Sequence, residues 1–107
     1  MKSEYLQSFN IAGFTYYDGA LIFQKLKIGK ELKLKLEENN RFDRHAVAIY
    51  FDKYKIGFIP RNENRIFYKM IKVGLKDKIR VLIQRIQPNE NPENQIQVVI
   101  HLKNLKK

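Results

Sequence analysis

A chain of 107 residues, 44% of them hydrophobic, can bury one core and leaves little room for a second. Residues 1–107 therefore read as one domain, with frayed tails at 1–4 and 103–107. The absence of cysteine excludes a disulfide framework, a thiolate nucleophile and a zinc–thiolate site. The 21 Lys and Arg against 11 Asp and Glu leave a formal net charge of +10, a field that attracts polyanions and makes nucleic acid the leading partner class.

The opening Met1-Lys2-Ser3-Glu4-Tyr5 has no apolar leader character, and no stretch approaches the roughly 18 apolar residues of a membrane span. The lysines are scattered rather than gathered on a long amphipathic helix, so no membrane partner is expected and the location reads as cytoplasmic and nucleoid-associated.

Residues 6–14 place Phe9 and Ile11 on one parity ahead of Gly13 and predict a first strand. Tyr16-Tyr17-Asp18-Gly19 interrupts it. Asp18 as N-cap and Gly29 beyond the end then predict a two-turn helix over residues 20–26. Leu32, Leu34 and Leu36 alternate with Lys33, Lys35 and Glu37, the pattern of a half-buried strand. Residues 46–51 and 55–59 are β-prone runs separated by Asp52-Lys53-Tyr54, and predict a hairpin that Pro60 closes. Asn62 is the expected N-cap of a helix over residues 63–73. Ile66 with Met70 and Phe67 with Ile71 share one face of that helix, Gly74 ends it, and the face is expected to cover a sheet. Ile79, Val81 and Ile83 alternate within residues 78–87, and Ile96, Val98, Ile100 and Leu102 within residues 95–102. The polar run at 88–94 between them reads as a mobile hairpin tip.

About six short strands and two short α-helices predict a mainly β protein: a small six-stranded, modified oligonucleotide-binding (OB)-like β-barrel, partly open or closed. The rival architecture is an α+β sheet covered on one side by helices, which periodicity does not separate from it.

The chemistry concentrates in Glu37-Glu38-Asn39-Asn40-Arg41-Phe42-Asp43-Arg44-His45-Ala46-Val47, a loop of carboxylates, amides, cations and one aromatic ahead of an apolar run. Before it comes Asn10-Ile11-Ala12-Gly13-Phe14-Thr15-Tyr16-Tyr17, and after it Lys55-Ile56-Gly57-Phe58-Ile59-Pro60-Arg61. These three blocks, in this order, resemble the HIRAN domain family, a module carried on certain DNA-repair helicases and also found free-standing in bacteria. The block from Asn10 to Tyr17 resembles the family's opening strand and paired-aromatic turn. The block from Glu37 to Val47 resembles its acidic-Asn-aromatic-Asp-Ala-Val pattern, and the block from Lys55 to Arg61 its Gly-aromatic-Ile-Pro-basic strand.

The resemblance implies a non-enzymatic module with no cofactor and no metal, binding single-stranded DNA at a free 3′-hydroxyl end in DNA repair or replication-fork processing. A helicase or another repair protein is the implied partner. Carried over residue by residue, Tyr16 and Tyr17 would flank the terminal bases and Phe42 would stack on a base. Asp43 would accept a hydrogen bond from the 3′-hydroxyl, with Asn40 supporting the pocket. Arg61 would hold a phosphate, and Phe58 would lie in the same groove. Lys35, Arg41, Arg44 and Arg65 could widen the positive groove. Glu38 and Arg41 stand where the family often has proline, Phe42 replaces the more usual tyrosine, and Thr15 replaces a basic residue of the helicase branch. With no ATPase block or RING-type zinc pattern beside it, the chain resembles the free-standing form.

Each role has a plainer counterpart. The aromatics could be core, Asp43 could simply close a turn through backbone N–H groups, and the cations could be a solvated face. His45 and His101 have no partner at metal-ligand spacing. Two other functions compete with DNA binding. One is a metal-dependent nuclease gathering Asp18, Glu37, Glu38 and Asp43 around magnesium, although Glu37 and Glu38 should face opposite ways on an extended strand. The other is a protein-interaction adaptor whose aromatic loop grips a peptide.

Overall fold

Six strands form one antiparallel sheet in the computed structural model, which describes residues 3–103. They are β1 (Ser3–Asn10), β2 (Glu31–Leu36), β3 (Val47–Phe51), β4 (Tyr54–Phe58), β5 (Ile79–Ile86) and β6 (Ile96–Lys103), and one helix, α1 (Arg65–Lys72), lies between β4 and β5. Their order across the sheet is β1-β6-β5-β2-β3-β4. The mainly β, OB-like expectation stands, with one α-helix among the described residues rather than two. Among the described residues no helix is long and apolar enough to cross a membrane.

Alternation built the sheet. Leu32 and Leu34 on β2, Ile79, Val81 and Ile83 on β5, and Ile96, Val98 and Ile100 on β6 all point into one buried core, because side chains two apart share a face. Irregular registers at Tyr5/Gln7, Ile83/Arg85 and Ile49/Tyr50 mark bulges, which bend and coil a sheet. The curvature brings its ends together. The chain beyond β1 reaches β4, where Ala12 and Phe58 exchange both backbone hydrogen bonds at 2.9 Å.

That bridge requires Gly57. A Cβ there would sit 2.3 Å from Ile11 Cγ2 and 2.5 Å from the Ala12 carbonyl oxygen, and its φ of +149° is one that L side chains rarely adopt.

Helix α1 covers the core with Phe67, fully buried and 6.3 Å from the Phe9 ring, centroid to centroid. Such burial contributes about 1.5–3 kcal/mol. Met70 and Ile71, three and four residues on, pack at the edge of the core. Ile66 does not join them and is 51% exposed, since adjacent helical residues are separated by about 100°.

Several boundaries differ from expectation. β1 ends at Asn10, and Phe14 belongs to a 3-10 turn. Ser3 and Glu4 pair with Lys103 and Leu102 rather than fraying; the other tail residues, 1–2 and 104–107, lie outside the described residues. Residues 20–26 form turns and a short 3-10 segment, Phe23–Lys25, instead of a helix. The Asp18 backbone carbonyl takes the Leu21 and Ile22 N–H groups at 3.1 and 3.2 Å. A segment this short gains too few helical bonds to offset nucleation, while the turn still buries Ile22 and Leu26. The β3–β4 hairpin is tighter than expected, with Phe51 opposite Tyr54 and Asp52 at φ +52°.

The cap of α1 is Asn64, not Asn62, and it makes no side-chain cap bond. It is buried, at 3% exposure, and its Nδ2 donates to Asp43 Oδ2 at 2.8 Å. The helix start is thus tied to the loop between β2 and β3.

These contacts set the expected stability changes. Gly57→Ala should lower unfolding stability by roughly 2–4 kcal/mol in urea titrations, from overpacking plus backbone strain. Gly29→Ala, with no atom within 4 Å of the added carbon, should cost about 1 kcal/mol from strain alone. Asn64→Ala should cost about 1–3 kcal/mol for the buried bond it removes, and Asn62→Ala less than about 0.5 kcal/mol; the reverse ranking would reassign the cap.

Candidate nucleic-acid interface

The loop after β2 is shaped by its own amide and carboxylate. Asn40 Oδ1 accepts the backbone N–H groups of Phe42 at 2.8 Å and Asp43 at 3.0 Å, while Asn40 Nδ2 donates to Glu37 Oε1 at 3.3 Å. Asp43 Oδ1 accepts the His45 N–H at 2.9 Å, and the Asp43 backbone carbonyl accepts the Ala46 N–H at 3.1 Å. Short polar side chains that bond the backbone ahead of them fold such loops without help from the core. Phe42 is left 83% exposed, whereas the Asp43 side chain is only 20% exposed.

Asp43 is held from both sides. Oδ2 accepts from Asn64 at 2.8 Å, and Arg61 Nε lies 3.9 Å from the same oxygen. Arg61 also donates to the Phe42 backbone carbonyl and remains 73% exposed, so its guanidinium is placed at the mouth of the loop with donors to spare. The turn-closing role of Asp43 is therefore real, and a carboxylate's remaining lone pairs leave it able to accept a further hydrogen bond.

Facing this loop is an aromatic pair. Tyr17 meets Phe58 edge-on with ring centroids 5.5 Å apart, and Lys55 Nζ lies 4.5 Å from both ring centroids. Lys55 is also ion-paired with Glu37. Glu37 thus connects the Asn40 turn to the aromatic pair.

The two halves enclose adjoining hollows. One, of about 260 Å³, is lined by Tyr17, Asn40, Phe42, Asp43, Phe58 and Arg61 with Ala12, Ala46 and Ile59. The other, of about 420 Å³, shares Asn40, Phe42, Asp43 and Arg61 and adds Arg41, Arg44, Arg65, His45 and Asn64. Six of the residues expected at the site therefore meet in one place. Tyr16 does not line either hollow: it is 86% exposed and borders a smaller depression with Pro92 and Glu93. It nevertheless lies beside Tyr17, since both rings come within 4 Å of where a Gly13 side chain would begin. Arg41, Arg44 and Arg65 line the second hollow beside Arg61 and so extend the row of cations expected there. Lys35 does not, sitting on β2 with its ammonium 5.8 Å from the Tyr50 ring.

The nuclease alternative needed four carboxylates in one place, and they diverge. Glu37 pairs with Lys55. Glu38 turns away to Lys72 at 2.6 Å, where its hydrogen bond and charge raise the lysine's pKa above the ordinary value. Among the described residues no three His, Asp or Glu side chains are grouped as a metal site.

Lys55 and Asn64 were not among the expected site residues. Strict alternation places Lys55 and Phe58 on opposite faces, but Ile56 is an extra residue in β4 opposite Ile49 and Tyr50, and the bulge returns both to one face. Asn64 is a plausible cap by sequence, and only its contact with Asp43 shows the second task.

The fold is shared with solved structures at low sequence identity. A protein from Lactobacillus plantarum superposes with a TM-score of 0.77 at 17% identity, covering 94% of this chain and 95% of that one. The HIRAN domain of human HLTF superposes with a TM-score of 0.64 at 15% identity, covering 94% of this chain and 76% of that one. No curated protein matches in sequence. The family model of the HIRAN domain matches residues 5–103, which include the loop, the hairpin and both hollows, and this chain belongs to the HIRAN domain family.

Proposed function

We propose that this chain is a non-enzymatic DNA-binding module that holds single-stranded DNA by a free 3′-hydroxyl end. The observation that carries the reading is the convergence of Tyr17, Phe42 and Phe58 with Asp43 and Arg61 on one hollow of about 260 Å³. Exposed rings offer stacking surfaces to any base. Arg61 offers a phosphate a planar pair of donors. Asp43, which only accepts while ionised, suits a terminal hydroxyl and repels a terminal phosphate. At about 4 Å near a protein surface that repulsion is about 4 kcal/mol per pair of unit charges, and Arg61 offsets part of it. Asn40 and Asn64 fix the acceptor, and Tyr16 stands at the rim beside Tyr17.

In this reading the arginines of the neighbouring cleft supply affinity that does not depend on sequence. The module marks a DNA end in the nucleoid during repair or fork processing, while a helicase or another repair protein performs any remodelling.

A short oligothymidine ending in a 3′-hydroxyl should bind at least about tenfold more tightly than the same strand ending in a 3′-phosphate. Fluorescence anisotropy at two salt concentrations tests this, and equal affinities exclude end recognition. The log–log salt slope should be about −0.7 per phosphate contact; binding that ignores salt would instead favour a peptide-gripping adaptor. Phe42→Ala should weaken DNA binding by about 1–3 kcal/mol, with thermal stability changed by less than about 0.5 kcal/mol because the ring is exposed. Unchanged affinity would reject the stacking role.

A further inference from the structure

The outer face of β2, β3 and β4 continues directly from the aromatic pair. Register places Lys33 opposite Tyr50 and Tyr50 opposite Lys55, while Lys35 is opposite Ala48 and Ala48 opposite Phe58. The inward parity on these strands belongs to Leu32, Leu34, Val47 and Ile49, so the first set points away from the core. Cations and rings interleave across this face. Lys55 lies over Tyr17 and Phe58 at 4.5 Å from each centroid, and Lys35 over Tyr50 at 5.8 Å.

Charge is uneven here. Glu37 is paired with Lys55 and Glu31 with Arg80 at 3.6 Å. Among the described residues Lys33 and Lys35 have no carboxylate within ion-pair distance, and both are exposed. Tyr50 is half-buried between them and Lys55. Free cations alternating with rings, two strands across, match the alternation of phosphate and base in a single strand.

We infer that this face is a second subsite for single-stranded nucleic acid, in which the strand leaving the end pocket runs over Phe58 and Lys55 to stack a base on Tyr50, with its phosphates on Lys33 and Lys35. The inference rests on the proposed end-binding function and extends it from the last nucleotide to those upstream. Barrels of this kind engage about 4–16 nucleotides, more than a hollow of about 260 Å³ holds. The competing exit is the cleft of Arg41, Arg44 and Arg65. It has higher charge, but His45 is occupied edge-on by Tyr68 at 5.0 Å, leaving Phe42 as the stacking surface there.

The test compares dT4 and dT12, each with a 3′-hydroxyl, against the full chain and its variants by fluorescence anisotropy. Tyr50→Ala should weaken dT12 about fivefold or more, the lower end of what one stacked base contributes, and leave dT4 within about twofold. Lys33→Gln with Lys35→Gln, a surface pair that leaves the core untouched, should do likewise and reduce the dT12 salt slope by roughly 1.4, two contacts at about 0.7 each. If Arg44→Gln with Arg65→Gln removes the advantage of dT12 while the Tyr50 and lysine variants keep it within about twofold, the subsite is overturned and the strand leaves by the cleft. If dT12 depends on Tyr50 and the lysines but ignores 3′-phosphorylation, the subsite stands and end recognition fails. If neither strand binds at low salt, both fail.

Discussion

The close approach of Gly57 to Ile11 and Ala12 is the contact on which both the closing bridge of the curved sheet and its site depend. The paired backbone bonds between Ala12 and Phe58 join the two free ends of the sheet. They also fix the distance between the turn carrying Tyr17 and the strand carrying Phe58. An added carbon at Gly57 would have to displace the Ala12 carbonyl itself, and backbone cannot rotate aside as a side chain can. The Gly-aromatic-Ile-Pro-Arg order is thus one device. The glycine allows the strands to meet, and the aromatic lies half-buried at the junction. The proline lies beyond the end of β4, and the arginine turns back to the Phe42 carbonyl.

Asp43 plays the corresponding part on the other wall. Its bonds reach His45 in its own loop, Asn64 at the start of α1 and, more loosely, Arg61. A carboxylate held by a buried amide loses little further rotational freedom when it meets a ligand, so less of the binding energy is spent on ordering it. Phe42 shows the opposite design. Its backbone is fixed by Asn40 and Arg61 while its ring stays in water.

Much of this was legible in the sequence because one-sided burial forces period-two alternation. Leu32 and Leu34, Val81 and Ile83, and Val98 and Ile100 each had to fall on one face. The loop was legible for a different reason: Asn40 and Asp43 carry their turn chemistry with them. What failed was decided by segment length or by tertiary contact. Asp18, Ala20, Leu21 and Ile22 satisfy local helix rules, yet the run is too short to offset helix nucleation and settles for turns and a 3-10 segment. Asn62 and Asn64 are equivalent by local propensity, and Asp43, twenty-one positions before Asn64, selects one of them. Lys55 was hidden by a bulge, which a two-residue period does not reveal.

In the proposed function, affinity and selectivity would rest on physically different groups. The arginines of the cleft and the lysines of the outer sheet act through a long-range field that salt screens over about 10 Å at 0.1 M. The rings and Asp43 act only at contact. Raising salt should therefore strip away binding common to all nucleic acids faster than it removes discrimination at the pocket. Glu37 sharpens the division: by pairing with Lys55 between the rings and the Asn40 turn, it lowers net positive charge where contact chemistry operates. Arg41, Arg44 and Arg65 stand on one flank and the exposed Lys33 and Lys35 on the other, so cations border the pocket on both sides, with Arg61 at its mouth.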